Sequence, residues 1–267
     1  MENNSDVIKF YENNYNEDER EGRETLEFTR LKSIIARHLT SHKPMEIADI
    51  GGATGAYSFW LAEMGHQVHL LDLVPSHIDI AKQKSRDNGL TLASYSCADA
   101  RALPYENESM DMVLLMGALY HFHAKESRMK CLTEAFRVLK MGGILLCTVM
   151  NRYNYLISSL KYCHLFERMG LEPIKKALST GIIDNTAYTS LPLLYGYLPG
   201  EIILDMTEAG YNDINLVAVE GIANPLGKTA EIEKDFEQLL ECLELTESVP
   251  ELIGVSRNIA TIGRKLH

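Results

Sequence analysis

From residue 45 to residue 150, short β-rich runs alternate with amphipathic helical segments. That alternation is the mark of βαβ units, and it confines the chain to an α/β fold around a parallel sheet. The first strand spans 45–50. Pro44 separates it from a helix read over 25–39 on the spacing of Leu26, Leu31, Ile34, Ile35 and Leu39. A helix over 54–64 stops at Gly65, and strand two follows over 67–72. Ser76 is placed to cap a helix that reaches Asn88 and ends at Gly89, with Asp79 standing in for the Glu or Gln of a capping box. Strand three covers 91–96 and strand four 110–116. A helix over 126–139 closes at Gly142-Gly143 before strand five, 144–149. Strands four and five are nearly all apolar, as expected where helices cover both faces, and belong at the sheet's centre.

The alternation lapses over 151–197, where tyrosines at 153, 155, 162, 188 and 195 lie among mixed helical and loop signals; this reads as an insertion after strand five. Pro199 then opens a helix ending at Gly210. Strand six follows over 214–219, a helix over about 229–247 and a last strand over 258–263. The reading is one domain in four parts: N-terminal helices over 1–43, a ligand-binding core over 44–150, an insertion over 151–197, and closing strands and helices over 198–267.

A chain of 267 residues, 46% hydrophobic and 24% charged, buries a sizeable core. Its formal net charge of −11, with Glu17, Asp18, Glu19 and Glu21 close together, makes a nucleic-acid partner unfavourable without a local basic patch. The five cysteines are widely spaced with no Cys-x-x-Cys pair, so neither a disulfide framework nor a zinc site is expected, and no metal is. The N-terminus lacks a signal-peptide pattern and no run approaches the roughly 20 apolar residues of a membrane span, so a soluble cytoplasmic protein is expected.

In an open parallel sheet, ligands bind beyond the carboxyl ends of the strands where strand order reverses. Four signals converge there: Gly51, Gly52 and Gly55 between strand one and its helix; Asp49, two residues before the first glycine; Asp72 at the end of strand two; and Asp99 after strand three. A dinucleotide site competes, because Gly51-x-Ala53-x-x-Ala56 loosely matches a Rossmann fingerprint and Asp72 could hold a ribose hydroxyl. Asp49 weighs against it. A carboxylate at that strand end repels a pyrophosphate and favours a ligand carrying an ammonium and a sulfonium.

These residues, with Leu71-Asp72, Ala98-Asp99-Ala100, the run from Asp111 to His121 and Leu139-Lys140-Met141-Gly142-Gly143, resemble the class I S-adenosylmethionine (SAM)-dependent methyltransferases, in particular the ubiquinone/menaquinone-biosynthesis-like, type 11 group. The resemblance covers about residues 28–150 well and the last strands loosely. It implies a Rossmann-like, doubly wound, mostly parallel seven-stranded sheet with an antiparallel last strand. It also implies that the turn Asp49–Gly55 holds the methionine moiety, that Asp72, beside Leu73, takes the ribose hydroxyls, and that Asp99, beside Ala100, takes the adenine amine, with Met116 near the same cofactor. Ala53 departs from the family's usual glycine.

Methyl transfer from a sulfonium is an in-line displacement, so the protein mainly holds the acceptor and excludes water, adding a base only where the acceptor carries a proton. The run Met116 to His123 after strand four lies where the methyl group would point. Tyr120 and His121 are the candidates for acceptor contact, with His121 as a base; a histidine bonded to backbone at a helix entry is the plainer reading. The insertion is expected to act as a substrate lid carrying Asn151, Arg152, Tyr153 and Tyr195, which could equally be ordinary packing. Tyr11 and Tyr15, four apart, share a helical face. By resemblance such a helix closes over SAM, and Arg30 reaches the methionine carboxylate; plain packing of an amphipathic helix competes.

The function expected is methyl transfer from SAM, leaving S-adenosylhomocysteine, to a small-molecule acceptor. RNA or protein methylation, a SAM-binding protein without catalysis, and an NAD-dependent oxidoreductase are the alternatives. The residues after strand four, Met116-Gly117-Ala118-Leu119, lack the Asn-Pro-Pro-Tyr type of motif found in many methyltransferases of nucleobase or glutamine amino groups. Neither the acceptor atom nor the oligomeric state follows from the sequence.

Overall fold

Strand residues that alternate along the chain divide between two apolar layers, as the twofold period of a strand requires. The computed structural model describes residues 4–14, 25–40, 42–162, 170–184, 193–224 and 234–266. Helices α1 (Asn4–Asn14) and α2 (Thr25–Ala36) come first, followed by β1 (Glu46–Ile50), α3 (Ala56–Glu63), β2 (Gln67–Asp72), α4 (Pro75–Asn88), β3 (Ser94–Cys97) and β4 (Met110–Met116). A 3-10 turn (Leu119–His121) leads to α5 (Lys125–Val138) and β5 (Leu139–Met150). Next come α6 (Arg152–Tyr162), α7 (Leu171–Thr180), the two-residue strands β6 (Ile182–Ile183) and β7 (Leu194–Tyr195), α8 (Pro199–Glu208) and β8 (Asn212–Ala218). The chain closes with α9 (Phe236–Thr246), α10 (Pro250–Ile253) and β9 (Asn258–Arg264).

Seven strands form one sheet in the order β3-β2-β1-β4-β5-β9-β8. The neighbours from β3 to β5 pair in parallel, and β9 runs antiparallel to both β5 and β8, so the expected antiparallel last strand is present. Ala48, Ile50, Val113, Leu115, Leu145 and Cys147 face the layer of α5 and α8. Ile47, Leu70, Met112, Leu114 and Leu146 face α2, α3 and α4, which contribute Ile34, Ile35, Leu61 and Ile78. Each fully buried aliphatic side chain is worth about 1.5–3 kcal/mol over an exposed one. The sheet is therefore doubly wound, and strand order reverses between β1 and β4.

A third apolar cluster joins Tyr155, Ile174, Ala177, Ile183 and Leu194 of the insertion, and Tyr120, after β4, packs against it. The insertion thus forms a wall beside the β4 loop. Among the described residues, no helix is long and apolar enough to cross a membrane.

Three local expectations change. Ser76 does not cap α4: Pro75 takes the first turn, Val74 is the cap residue, and Asp72 Oδ1 accepts from Val74 N at 2.8 Å. The pair Gly142-Gly143 does not close α5, which ends at Val138; both glycines lie inside β5, where the pairing jumps from Met110–Leu139 to Met112–Ile144. Gly142 has φ of 80° there, and a Cβ on Gly143 would lie 2.8 Å from Lys140 O, so this irregular strand needs both glycines. The helix expected over 229–247 is described from Phe236 to Thr246; residues 225–233 lie outside the described residues.

Candidate active site

The carboxyl ends of β1, β2 and β4 and the loop after β3 open on one cavity of about 400 Å³. Its floor is the glycine turn. Gly51 N and Gly52 N both donate to Leu71 O, at 2.7 and 3.2 Å, which draws the turn down onto β2. Beneath it, Asp49 is fully buried. Its Oδ2 accepts from Ser58 Oγ at 2.7 Å, while Oδ1 has no partner among the described residues. Burial pushes this carboxyl up to about 6, with Asp72 adding to the rise and the Ser58 hydrogen bonds opposing it. A Cβ on Gly52 would lie 2.6 Å from Asp49 Oδ2 and 2.5 Å from Leu70 Cδ1, so only glycine lets the backbone pass over this carboxylate. Ala53 sits at φ of 50°, the left-handed conformation that costs a residue with a Cβ about 1 kcal/mol. The departure from glycine at this position therefore carries strain.

Asp72 lines the cavity with most of its acceptor capacity already used. Oδ2 accepts from Ala53 N at 2.9 Å; Oδ1 accepts from Val74 N at 2.8 Å and lies 3.1 Å from His77 Nδ1. A carboxylate offers about four acceptor sites, so one remains for a ligand hydroxyl. Asp99 is more heavily engaged. Its Oδ1 accepts from Arg101 N at 2.8 Å and Nε at 3.0 Å; its Oδ2 accepts from Arg101 Nη2 at 2.6 Å and from Asn4 Nδ2 at 2.7 Å. Burial raises this carboxyl, but the Arg101 and Asn4 hydrogen bonds outweigh burial and hold it below the usual carboxylate range. Asn4 comes from α1, which lies across the mouth and also lends Asp6, Val7 and Tyr11 to the lining.

The other half of the cavity is aromatic. Tyr11 OH is 3.1 Å from His121 Nε2, and the Tyr11 ring meets His77 and His121 edge-on, with centroids 5.5 and 5.7 Å away. Tyr120 leans on His121 at 4.5 Å. His121 Nδ1 is sealed from solvent and has no partner among the described residues. Burial brings this imidazole down to about 4, against a smaller upward pull from Asp72. Protonation here would bury a charge, which desolvation disfavours more than Asp72 favours it. His121 is therefore neutral near pH 7.

Of the residues singled out from sequence, Gly51, Ala53, Asp72, Leu73, Asp99 and Ala100 line the cavity, as do Met116, Tyr11, Tyr120 and His121. Asp49, Gly52 and Gly55 shape the turn from below or behind and do not line it. Tyr15 lies outside the described residues. Arg30 is elsewhere: fully buried, it donates to Val219 O and forms ion pairs with Glu244 and Glu247, so its guanidinium cannot reach a ligand in this cavity.

The four insertion residues are not brought in either. Asn151 holds Gly254 O and Ser256 O, Arg152 pairs with Glu201 at 2.6 Å, and Tyr153 is exposed. Tyr195 is buried beneath the guanidinium of Arg128. The insertion reaches the cavity instead through Leu193. Asn4, Asp6, His77 and Leu193 escaped the sequence reading. His77 alone carried a local signal, one turn beyond Asp72 at the start of a helix.

Residues 48–147 match the family profile Methyltransf_11, described as a methyltransferase domain. This segment belongs to the methyltransferase domain family. The ubiquinone biosynthesis O-methyltransferase of Cereibacter sphaeroides is 33% identical over 126 residues, covering 46% of this chain and 49% of the relative. A ubiquinone/menaquinone biosynthesis C-methyltransferase of Vibrio parahaemolyticus is 35% identical over 105 residues, 38% of this chain and 39% of the relative. The matched regions of these sequence relatives thus span about half their length or less. In fold, the methyltransferase domain and its flanks resemble a SAM-dependent methyltransferase of Methanosarcina mazei, at TM-score 0.60 and 20% identity, covering 87% of this chain and 97% of that one. They also resemble a phosphoethanolamine N-methyltransferase of Haemonchus contortus in complex with SAM, at TM-score 0.60 and 18% identity, covering 97% of this chain and 60% of that one.

Proposed function

We propose that this protein transfers a methyl group from SAM to a small-molecule acceptor whose reacting atom carries a proton. The observation that carries the reading is a single cavity with Asp72 and Asp99 on one half and the Tyr11–His121 pair on the other. Among the described residues that line it, three are carboxylates (Asp6, Asp72 and Asp99) and none is lysine or arginine. Such a lining favours a cationic ligand and disfavours a pyrophosphate or a nucleic-acid backbone. The unpartnered Oδ1 of Asp49 beneath the turn adds negative potential on the same side. Relatives named for quinone biosynthesis and a structural neighbour named for phosphoethanolamine methylation support a small acceptor.

In this reading, Asp72 receives one ribose hydroxyl on its remaining acceptor site, and Asp99 receives the adenine amine in place of Asn4. Gly51, Ala53, Leu73, Ala100 and Met116 supply backbone and apolar contact. When bound, the sulfonium supplies an electrophilic methyl group. Tyr11 and His121 then act on the acceptor: Tyr11 oxygen accepts a hydrogen bond from it while donating to neutral His121 Nε2. That relay orients a lone pair and gives the departing proton a place on the imidazole Nε2. We read the chain as one domain in the four parts set out from sequence, working in a reducing, cytoplasmic setting. Cys131 and Cys147 are buried thiols, and Cys97 and Cys242 are also free.

Calorimetry with SAM, S-adenosylhomocysteine and NAD tests the cofactor, and transfer of labelled methyl to a panel of phenols, amines and thiols tests the reaction. Binding of NAD without SAM would overturn the cofactor reading. Binding of SAM with no transfer to any acceptor, RNA and protein included, would leave a ligand-binding protein.

A further inference from the structure

The loop that carries Tyr120 and His121 is tied down by a side chain that does not enter the cavity. Arg128, in the first turns of α5, is 5% exposed. Its Nη1 donates to Phe122 O at 3.2 Å and His123 O at 2.8 Å, the two carbonyls that follow the 3-10 turn. The guanidinium lies 3.6 Å from the ring centroid of Tyr195 and 5.3 Å from that of Tyr197. Its Nε, which has no hydrogen-bond partner among the described residues, faces Asp205 Oδ2 at 3.6 Å. Asp205 Oδ2 in turn accepts from Tyr197 OH at 3.1 Å. Tyr195 is held on its far side by Arg152 and Glu201, which lie 3.2 Å from its hydroxyl. One planar cation therefore joins three elements: the loop after β4, the end of the insertion and α8.

We propose that Arg128 is a positioning residue: it fixes the Tyr120–His123 loop against the insertion and so holds His121 in register with Tyr11. Three features carry this. One guanidinium nitrogen takes both carbonyls while the rest of the planar group lies over the Tyr195 ring and turns Nε toward Asp205, a spread of contacts that a compact ammonium does not match. The aromatic face beneath the guanidinium adds a cation–π contact in a water-excluded place. And the turn it holds is the one whose histidine bonds α1. The insertion thereby gains a role in catalysis without contributing Asn151, Arg152, Tyr153 or Tyr195 to the cavity: it is the anvil on which the acceptor loop is clamped. The role in catalysis rests on the methyl-transfer reading of the cavity; the clamp itself does not.

The test uses the full chain with histidine ring nitrogens labelled for NMR. In Arg128→Met, and more weakly in Arg128→Lys and in Tyr195→Leu, the His121 signals broaden or move, and its titration midpoint rises from about 4 toward the ordinary histidine range. S-adenosylhomocysteine affinity stays within about threefold, because the aspartates and the glycine turn are untouched. Circular dichroism and cooperative melting establish that each variant folds; should Arg128→Met fail, the lysine and Tyr195 variants carry the comparison. Unchanged His121 signals and midpoint in a folded Arg128 variant would overturn the proposal, as would loss of S-adenosylhomocysteine binding in step with the His121 change. If the wild-type protein binds no S-adenosylhomocysteine, the methyl-transfer reading fails, and the His121 titration still decides the clamp.

Discussion

Replacing His121 with glutamine changes how stability depends on pH, and the size of the change follows from the site. Folding holds the imidazole at about 4, mainly by burial, whereas in the unfolded chain it titrates near its ordinary 6.5. Between those values the unfolded state binds more protons, so stability rises with pH. His121 therefore contributes fully above about 6.5, and its contribution is lost as pH falls toward 4. The gap is worth about 3 kcal/mol when both states have titrated, and about 2 kcal/mol of it is lost on going from a pH of about 7.5 to about 5. Asp49 works in the opposite sense. Its folded value of about 6 lies above the ordinary 3.8, so its contribution is present below 3.8 and lost as pH rises through about 6. Over the same interval Asp49 returns about 1.4 kcal/mol, which flattens the wild-type profile and hides His121 in it. The difference between two proteins removes that overlap. Urea unfolding of wild type and His121→Gln at both pH values should show the wild type losing about 2 kcal/mol more than the variant. Equal losses, to within about 0.5 kcal/mol, would mean that His121 is hydrated and titrates normally, and the sealed Nδ1 would then be no part of the site.

Other expectations follow from single contacts. Asn4→Ala removes a donor that competes for Asp99 Oδ2, so SAM should bind about tenfold more tightly by calorimetry. Unchanged or weaker binding would show that Asn4 does not compete with the cofactor. Gly52→Ala forces a methyl group against Leu70 and the Asp49 carboxylate and should cost about 1–3 kcal/mol, seen as a lower melting temperature. Ala53→Gly relieves left-handed strain of about 1 kcal/mol but adds unfolded-state freedom, so the melting temperature should hold or rise slightly. Tyr11→Phe breaks the hydroxyl bridge to His121 and should lower turnover on any acceptor found by tenfold or more, roughly, with SAM affinity nearly unchanged.

How much of this was legible in the sequence depended on how far apart the partners lie. Strands 67–72 and 110–116 matched their structural bounds because each is an apolar run ending at a turn, and local pattern decides such segments. Gly51, Asp72 and Asp99 were legible as cavity-lining residues for the same reason: topology puts strand ends at the cavity, and the strands were readable. Arg30 was misplaced because its partner Glu247 is 217 residues away, on a helix end that no local pattern ties to α2. Asn4 is likewise 95 residues from Asp99, and Tyr11 is 110 from His121. The two features that complete the cavity, α1 and Leu193, are placed by tertiary contacts alone. The aromatic residues of the insertion looked like acceptor groups, but Tyr195 is used as a platform for Arg128.

The Asn4–Asp99 contact has a practical side. Anything fused ahead of Asn4 is attached within a few residues of a carboxylate proposed to receive the adenine. The effect of an amino-terminal purification tag on ligand affinity would thus be mistaken for a property of the protein itself. The other end is safer ground. Strand β9 leaves the sheet at Arg264, paired with Ile144 of β5 and Asn212 of β8, level with the amino ends of β1 and β4 and so at the end of the sheet away from the cavity. A handle placed there reports on the protein without touching the helix that guards its mouth.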